Sequence, residues 1–167
     1  MSRSEYDHVE LPFFNQLISM GWQHIPGSID HPSVTGRPSF RDVFLEDDLR
    51  RALRRINLRN GKPWLDDARI AQAIGALTRI SATRLIEANQ AATALLLSGH
   101  SVDGLPDWDG GRQQTVHYID WQNPENNTFT VINQFRVDCP RGQAVSFIAP
   151  DLVLFINGIP IVVVECK

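Results

Sequence analysis

Cysteine is nearly absent from these 167 residues. Cys139 and Cys166 are too few for a disulfide framework, and their spacing matches no zinc site. Long apolar runs are also missing: Ile159 to Val164 is far short of a membrane span. The first ten residues, MSRSEYDHVE, are polar and charged with no apolar core, so no secretory signal is expected, and the reducing cytoplasm is the expected compartment. There is no internal repeat and no low-complexity block. A net basic charge is lacking too, with 16 Lys and Arg against 19 Asp and Glu. A net charge of −3 argues against a generic polyanion-binding surface, but an acidic site can recruit its own cations.

What remains is an ordinary globular composition, 43% hydrophobic and 21% charged, in a chain long enough to bury one core unaided. The pattern predicts a helical part to about Ser98 and a strand-rich remainder from about Thr115. The first helix spans Glu5 to Met20 and stops at Gly21; Pro12 either kinks it or sits in the first turn of its regular part. Residues 26–40 read as an extended loop. Helices are then expected at Glu46–Leu58, closed by Asn60-Gly61, at Asp66–Ile80 and at Thr83–Ser98. Strands are expected at Thr115–Trp121, Phe129–Val137, Phe147–Ile156 and Pro160–Lys167. The last is apolar at four consecutive positions, Ile161 to Val164, which predicts a central strand covered on both faces. The fold class is therefore α/β, a mixed sheet covered by helices. The domain reading is a first core helix in 1–25, a helical insertion at 40–98 and the sheet at 113–167.

Charges at the end of that apolar strand stand out. Glu165 and Lys167 are two apart and project from one face of a strand. Pro150-Asp151 opens the preceding strand and puts another carboxylate at the matching end. Burying such groups costs several kcal/mol unless they pair or bind something. Asp151 and Glu165 share a face only if the intervening hairpin changes parity. A plain two-residue Asn157-Gly158 turn would separate them, so a three-residue loop or an equivalent bulge is expected. Two carboxylates and a lysine on one face suit metal-assisted phosphodiester hydrolysis, since carboxylate oxygens are the ligands Mg²⁺ prefers.

Pro150-Asp151, thirteen intervening residues and then Glu165-Cys166-Lys167 resemble the PD-(D/E)XK nuclease motif. Together with VELPFFNQLISMGWQHI, FRDVFLEDDLRRALRRIN, YIDWQNPENNTFTVINQFRV and APDLVLFINGIPIVVVECK, in that order, the chain resembles the N-terminal domain of the R subunit of type I restriction endonucleases. The resemblance implies a restriction-endonuclease-like core in which Asp151 and Glu165 hold Mg²⁺ and Lys167 is the catalytic lysine. The family's helix-borne acidic residue falls on Glu10, with Glu5 the alternative. It further implies double-stranded DNA as substrate, methyltransferase (M) and specificity (S) subunits as partners, and no membrane. The family continues with a Gln…Tyr helix and ATP-hydrolysing motor domains. None of these is found here and no phosphate-binding GxxxxGK[ST] occurs, so ATP is expected only in a full-length subunit and the core is expected to be incomplete after Lys167.

Other features have plainer readings. Arg50, Arg51, Arg54 and Arg55 form a basic helix face opposite Leu49, Leu53 and Ile56, which usually means a solvated, salt-bridged surface. DNA-backbone contact by Arg51, Arg54 and Arg55 is the sharper alternative. The five histidines make no ligand spacing, Trp22, Trp108 and Trp121 read as packing residues, and Cys166 falls on the face opposite Glu165 as a small hydrophobe. A non-catalytic assembly or DNA-binding module, or an inactive remnant, are the competing functional classes.

Overall fold

A computed structural model describes residues 6–81, 83–140 and 142–166, excluding the side chains of Tyr6, Asp7 and Asp109. The chain divides into two compact units, one formed by residues 1–49 with 128–167 and the other by 50–127.

The first unit is built on a four-stranded mixed sheet in the order β1-β6-β9-β10, with β1 Gln23–Pro26, β6 Phe129–Asn133, β9 Leu152–Ile156 and β10 Ile159–Val164. β1 runs parallel to β6, and the other neighbours are antiparallel. Strand β1 escaped the sequence reading because four residues with little alternation leave a weak signal. Successive residues alternate between two apolar clusters, as the strand period requires. Ile132, Val153 and Phe155 join Leu45 and Phe135 on one side, while Val131, Leu152 and Leu154 join Leu17 on the other. Each such side chain contributes about 1.5–3 kcal/mol by leaving water.

Helix α1 (Leu11–Ser19) supplies Leu17 and, with Phe14, covers the second face. Pro12 lies in its first turn. The preceding residues Tyr6–Glu10 form a single wide π-helical turn. Proline has no N–H to donate and its ring crowds the carbonyl four residues back, so a regular α turn cannot run through His8. Arg37 is buried with its Nε–H donated to Thr35 Oγ1 at 2.8 Å. Its Nη1 donates to the carbonyls of Asp42 and Arg136, and the guanidinium lies 3.6 Å from the Phe135 ring centre. Burial lowers its pKa to about 10, so the group stays charged.

Several strand expectations differ from the structure. The runs Phe129–Val137 and Phe147–Ile156 are each broken, and Val137–Asp138 (β7) instead pairs with Phe147–Ile148 (β8) in a separate ribbon. Gln134 takes a left-handed φ of 48°, which no continuous strand accommodates. Among the described residues nothing pairs with the outer edge of β10, and Val163 is 61% exposed, so the expected cover on both faces is not found among them.

The turn between β9 and β10 is fixed by Asn157 (φ 53°) and Gly158 (φ 80°), the left-handed pair a two-residue hairpin demands. Asn157 is fully buried, and its Oδ1 accepts the Thr128 N–H at 2.9 Å. The Gly158 carbonyl accepts the Leu45 N–H at 2.9 Å, tying the turn to the start of α2 (Glu46–Ile56).

In the second unit, Asn60-Gly61 is a hairpin turn between Leu58–Arg59 (β2) and Lys62–Pro63 (β3), not a helix terminus. Helix α3 (Asp67–Thr78) is capped by Asp66, which accepts the Arg69 N–H at 2.9 Å, and buries Ile70, Ala73, Ile74 and Leu77. Helix α4 (Leu85–Ser98) buries none of its residues. Residues 114–116 (β5) pair with His100–Val102 (β4) in a two-stranded ribbon of this unit and do not join the central sheet. The short helix α5 (Pro106–Asp109) carries Trp108, whose ring meets Trp64 at 5.3 Å and lies 3.7 Å beneath the Arg59 guanidinium.

A Cβ on Gly158 would stand 2.4 Å from the Leu45 carbonyl oxygen, whereas one on Gly61 would meet open space at a similar φ of 73°. Gly61→Ala is therefore expected to cost about 1–2 kcal/mol for the left-handed backbone alone. Gly158→Ala adds roughly 1–3 kcal/mol of overpacking, and urea melts of the two variants should separate accordingly.

Candidate functional site

The parity problem is solved by a bulge. Ile159 pairs with Ile156 and Pro160 with Phe155, the register of a plain two-residue turn, but beyond Pro160 the pairing shifts so that Val162 faces Leu154 and Val164 faces Leu152. The residue absorbed is Ile161, beside a proline that cannot donate to the ladder. Continuing the shifted register by one pair brings Asp151 level with Glu165. The turn is thus two residues long, and the bulge does what a three-residue loop would have done.

Asp151 is held at this end of the sheet from two sides. Its Oδ2 accepts the Cys166 N–H at 2.7 Å, and its carbonyl accepts the Gln134 N–H at 2.9 Å. Glu165 is exposed and Asp151 half-buried. Glu10, the last residue of the wide turn before α1, is only 4% exposed. Burial, with Asp151 adding its charge, pushes the Glu10 carboxyl above the ordinary range. The Cys166 thiol is likewise pushed up, first by burial and then by the charges of Asp151, Glu10 and Glu165. A thiol so placed stays protonated and is a poor nucleophile. Three carboxylates therefore act on one locality, although among the described residues no three Asp, Glu, His or Cys side chains converge tightly enough to share one ion. Lys167 and the alternative Glu5 lie outside the described residues.

Sequence reasoning missed two neighbours. A cavity of about 50 Å³ is lined by Glu10, Leu11, Phe14, His24 and Asn133. His24 Nε2 is 3.0 Å from Asn133 Oδ1, which also accepts the Gly27 N–H at 3.3 Å, and the Phe14 ring meets the imidazole edge-on at 4.5 Å. Only the pairing of β1 with β6 brings these residues together, and a lone histidine in a four-residue strand gives no hint of it.

The basic face of α2 has internal partners. Arg54 bonds Asp67 at 2.5 Å and Arg55 donates to the Asn126 carbonyl at 2.8 Å, while Arg51 is exposed and also has a partner. The partnering acid for Arg54 comes from the start of α3, not from the acidic first turn of α2.

Comparison with known proteins decides the family. The profile described as "Type I restriction enzyme R protein N terminus" matches residues 2–167. The chain belongs to this family. A putative type I restriction enzyme MjaIXP endonuclease subunit from Methanocaldococcus jannaschii is 30% identical over 161 residues, covering 95% of this chain and 15% of the relative. The type I restriction enzyme HindI endonuclease subunit of Haemophilus influenzae is 28% identical over 164 residues, covering 95% and 14% respectively. The chain thus spans about one-seventh of the length of these relatives. No helix among the described residues of this R-protein N terminus is long and apolar enough to cross a membrane.

Because Glu10 is buried within the field of Asp151, Glu10→Gln should raise the melting temperature in chelator-containing buffer. The expected shift is about 2–4 °C, which roughly 1 kcal/mol produces in a domain of this size. Calorimetry tests this; a lower melting temperature would mean that the Glu10 carboxylate is held by a favourable partner.

Proposed function

We propose that this chain is the DNA-cleaving domain of a type I restriction–modification complex, with a PD-(D/E)XK-type core hydrolysing phosphodiesters of unmodified double-stranded DNA with Mg²⁺. The observation that carries the reading is the bulge after Pro160. It sets the Asp151 and Glu165 ends of adjacent strands level, in a chain whose family and relatives are restriction endonuclease subunits.

The donor chemistry fits a hard divalent cation. Asp151 and Glu165 offer only carboxylate oxygens, and the buried like charge of Glu10 beside Asp151 is a repulsion that a cation relieves. Asp151 and Glu165 would hold Mg²⁺, which when bound acidifies water and stabilises charge gathering on the phosphate. The Cys166 N–H donates to Asp151 Oδ2 and orients a carboxylate that would serve as a ligand. Lys167 neutralises the scissile phosphate or orients the attacking water, whose oxygen bonds to phosphorus as the phosphorus–oxygen bond of the leaving strand breaks. Glu10 supports that water by hydrogen bonding. In the full-length subunit, cleavage is coupled to ATP-driven translocation, with M and S subunits as cytoplasmic partners.

In the full-length subunit, Asp151→Ala and Lys167→Ala should each abolish cleavage of unmodified plasmid while ATP hydrolysis stays near wild type. Retained cleavage in either variant removes the assignment, and loss of both activities points to misfolding.

A further inference from the structure

The second unit contains a cavity that the carboxylate site does not involve. Its volume is about 380 Å³, within the range of small-ligand pockets. Apolar Ile56, Leu97 and Ile119 line it together with the rings of His117 and Trp121. The Trp121 indole N–H donates to the Leu96 carbonyl at 2.9 Å, so its polar edge is satisfied and the ring is fixed, yet the residue is 54% exposed. A large aromatic anchored in this way and left in water at a cavity is more informative than a scattered surface hydrophobe.

The polar side of the cavity is equally built. Asp120 Oδ1 accepts the N–H groups of Gln122 and Asn123 at 3.1 and 2.9 Å, and Oδ2 accepts Asn126 Nδ2 at 2.8 Å. Asn127 braces the same loop through both the N–H and the carbonyl of Asp120 at 2.9 Å. The Asn123 side chain bonds the same carboxylate, and these bonds, that from Asn126 foremost, hold it below the ordinary carboxylate range. The side chains of Gln122 and Asn123 add carboxamides to the lining. Arg55, through its bond to the Asn126 carbonyl, stands beside this loop. The unit carries ten Lys and Arg against eight Asp and Glu, in a chain that is acidic as a whole.

An aromatic face, an apolar lining, acceptors for an exocyclic amino group and an adjacent guanidinium are together the chemistry of nucleobase recognition. We propose that this cavity binds an unpaired nucleobase, stacked on Trp121 and His117, either as a free nucleotide or as an unstacked base of a single strand. This proposal does not rest on the carboxylate site.

The test is fluorescence anisotropy of labelled ten-residue oligo-dA, oligo-dC and oligo-dT with the 167-residue chain in EDTA, which silences any cation-dependent binding. Saturable binding is expected, and Trp121→Ala should weaken it about tenfold or more. Trp121→Phe should retain most of the binding. Competition by dAMP or dCMP at equal base concentration assigns the free-nucleotide source, and failure to compete assigns the strand. If Trp121→Ala melts early, exposed His117 provides the second probe, and His117→Ala should lower affinity several-fold. No saturable binding to any oligonucleotide or nucleotide, or binding indifferent to a folded Trp121 or His117 variant, overturns the proposal.

Discussion

The register shift at Ile161 is the constraint on which the candidate site depends. With an unbroken ladder from the Asn157-Gly158 turn, every residue of β10 beyond Pro160 would face the other side of the sheet, and Asp151 and Glu165 would be separated by its thickness. One absorbed residue reverses that. The turn, in turn, is held by buried Asn157 and by the bond from Leu45 to Gly158, so the hairpin cannot slide to relieve the bulge. A feature that costs ladder hydrogen bonds persists because the turn before it is fixed by these contacts.

The same economy shapes the helix side of the site. Pro12 starts the regular part of α1, and the wide turn it enforces ends on Glu10, whose carboxyl is thereby carried inward. A buried acid in the field of Asp151 lowers stability unless something compensates for it. Destabilised charge of this sort marks sites of function more often than sites of packing.

Much of this was legible in the sequence. The helices over residues 46–56, 67–78 and 85–98 follow from apolar spacing and caps, and the need for a parity change follows from counting residues between Asp151 and Glu165. Which device would supply it was not legible, because a bulge and a longer loop satisfy the same arithmetic. Strand β1 and the His24–Asn133 pair were missed, and the exposed Trp121 was read as a packing residue, for one reason: each depends on which distant segments meet, and local periodicity carries no such information.

Cation binding by the carboxylate pair is the central claim, and it can be measured without DNA. Isothermal titration of Mn²⁺ into the 167-residue chain should give saturable binding that Asp151→Asn abolishes and Trp121→Phe leaves intact. Binding that survives Asp151→Asn in a folded protein, or no binding at all, would contradict the account and leave these residues as a structural cluster at the end of a sheet.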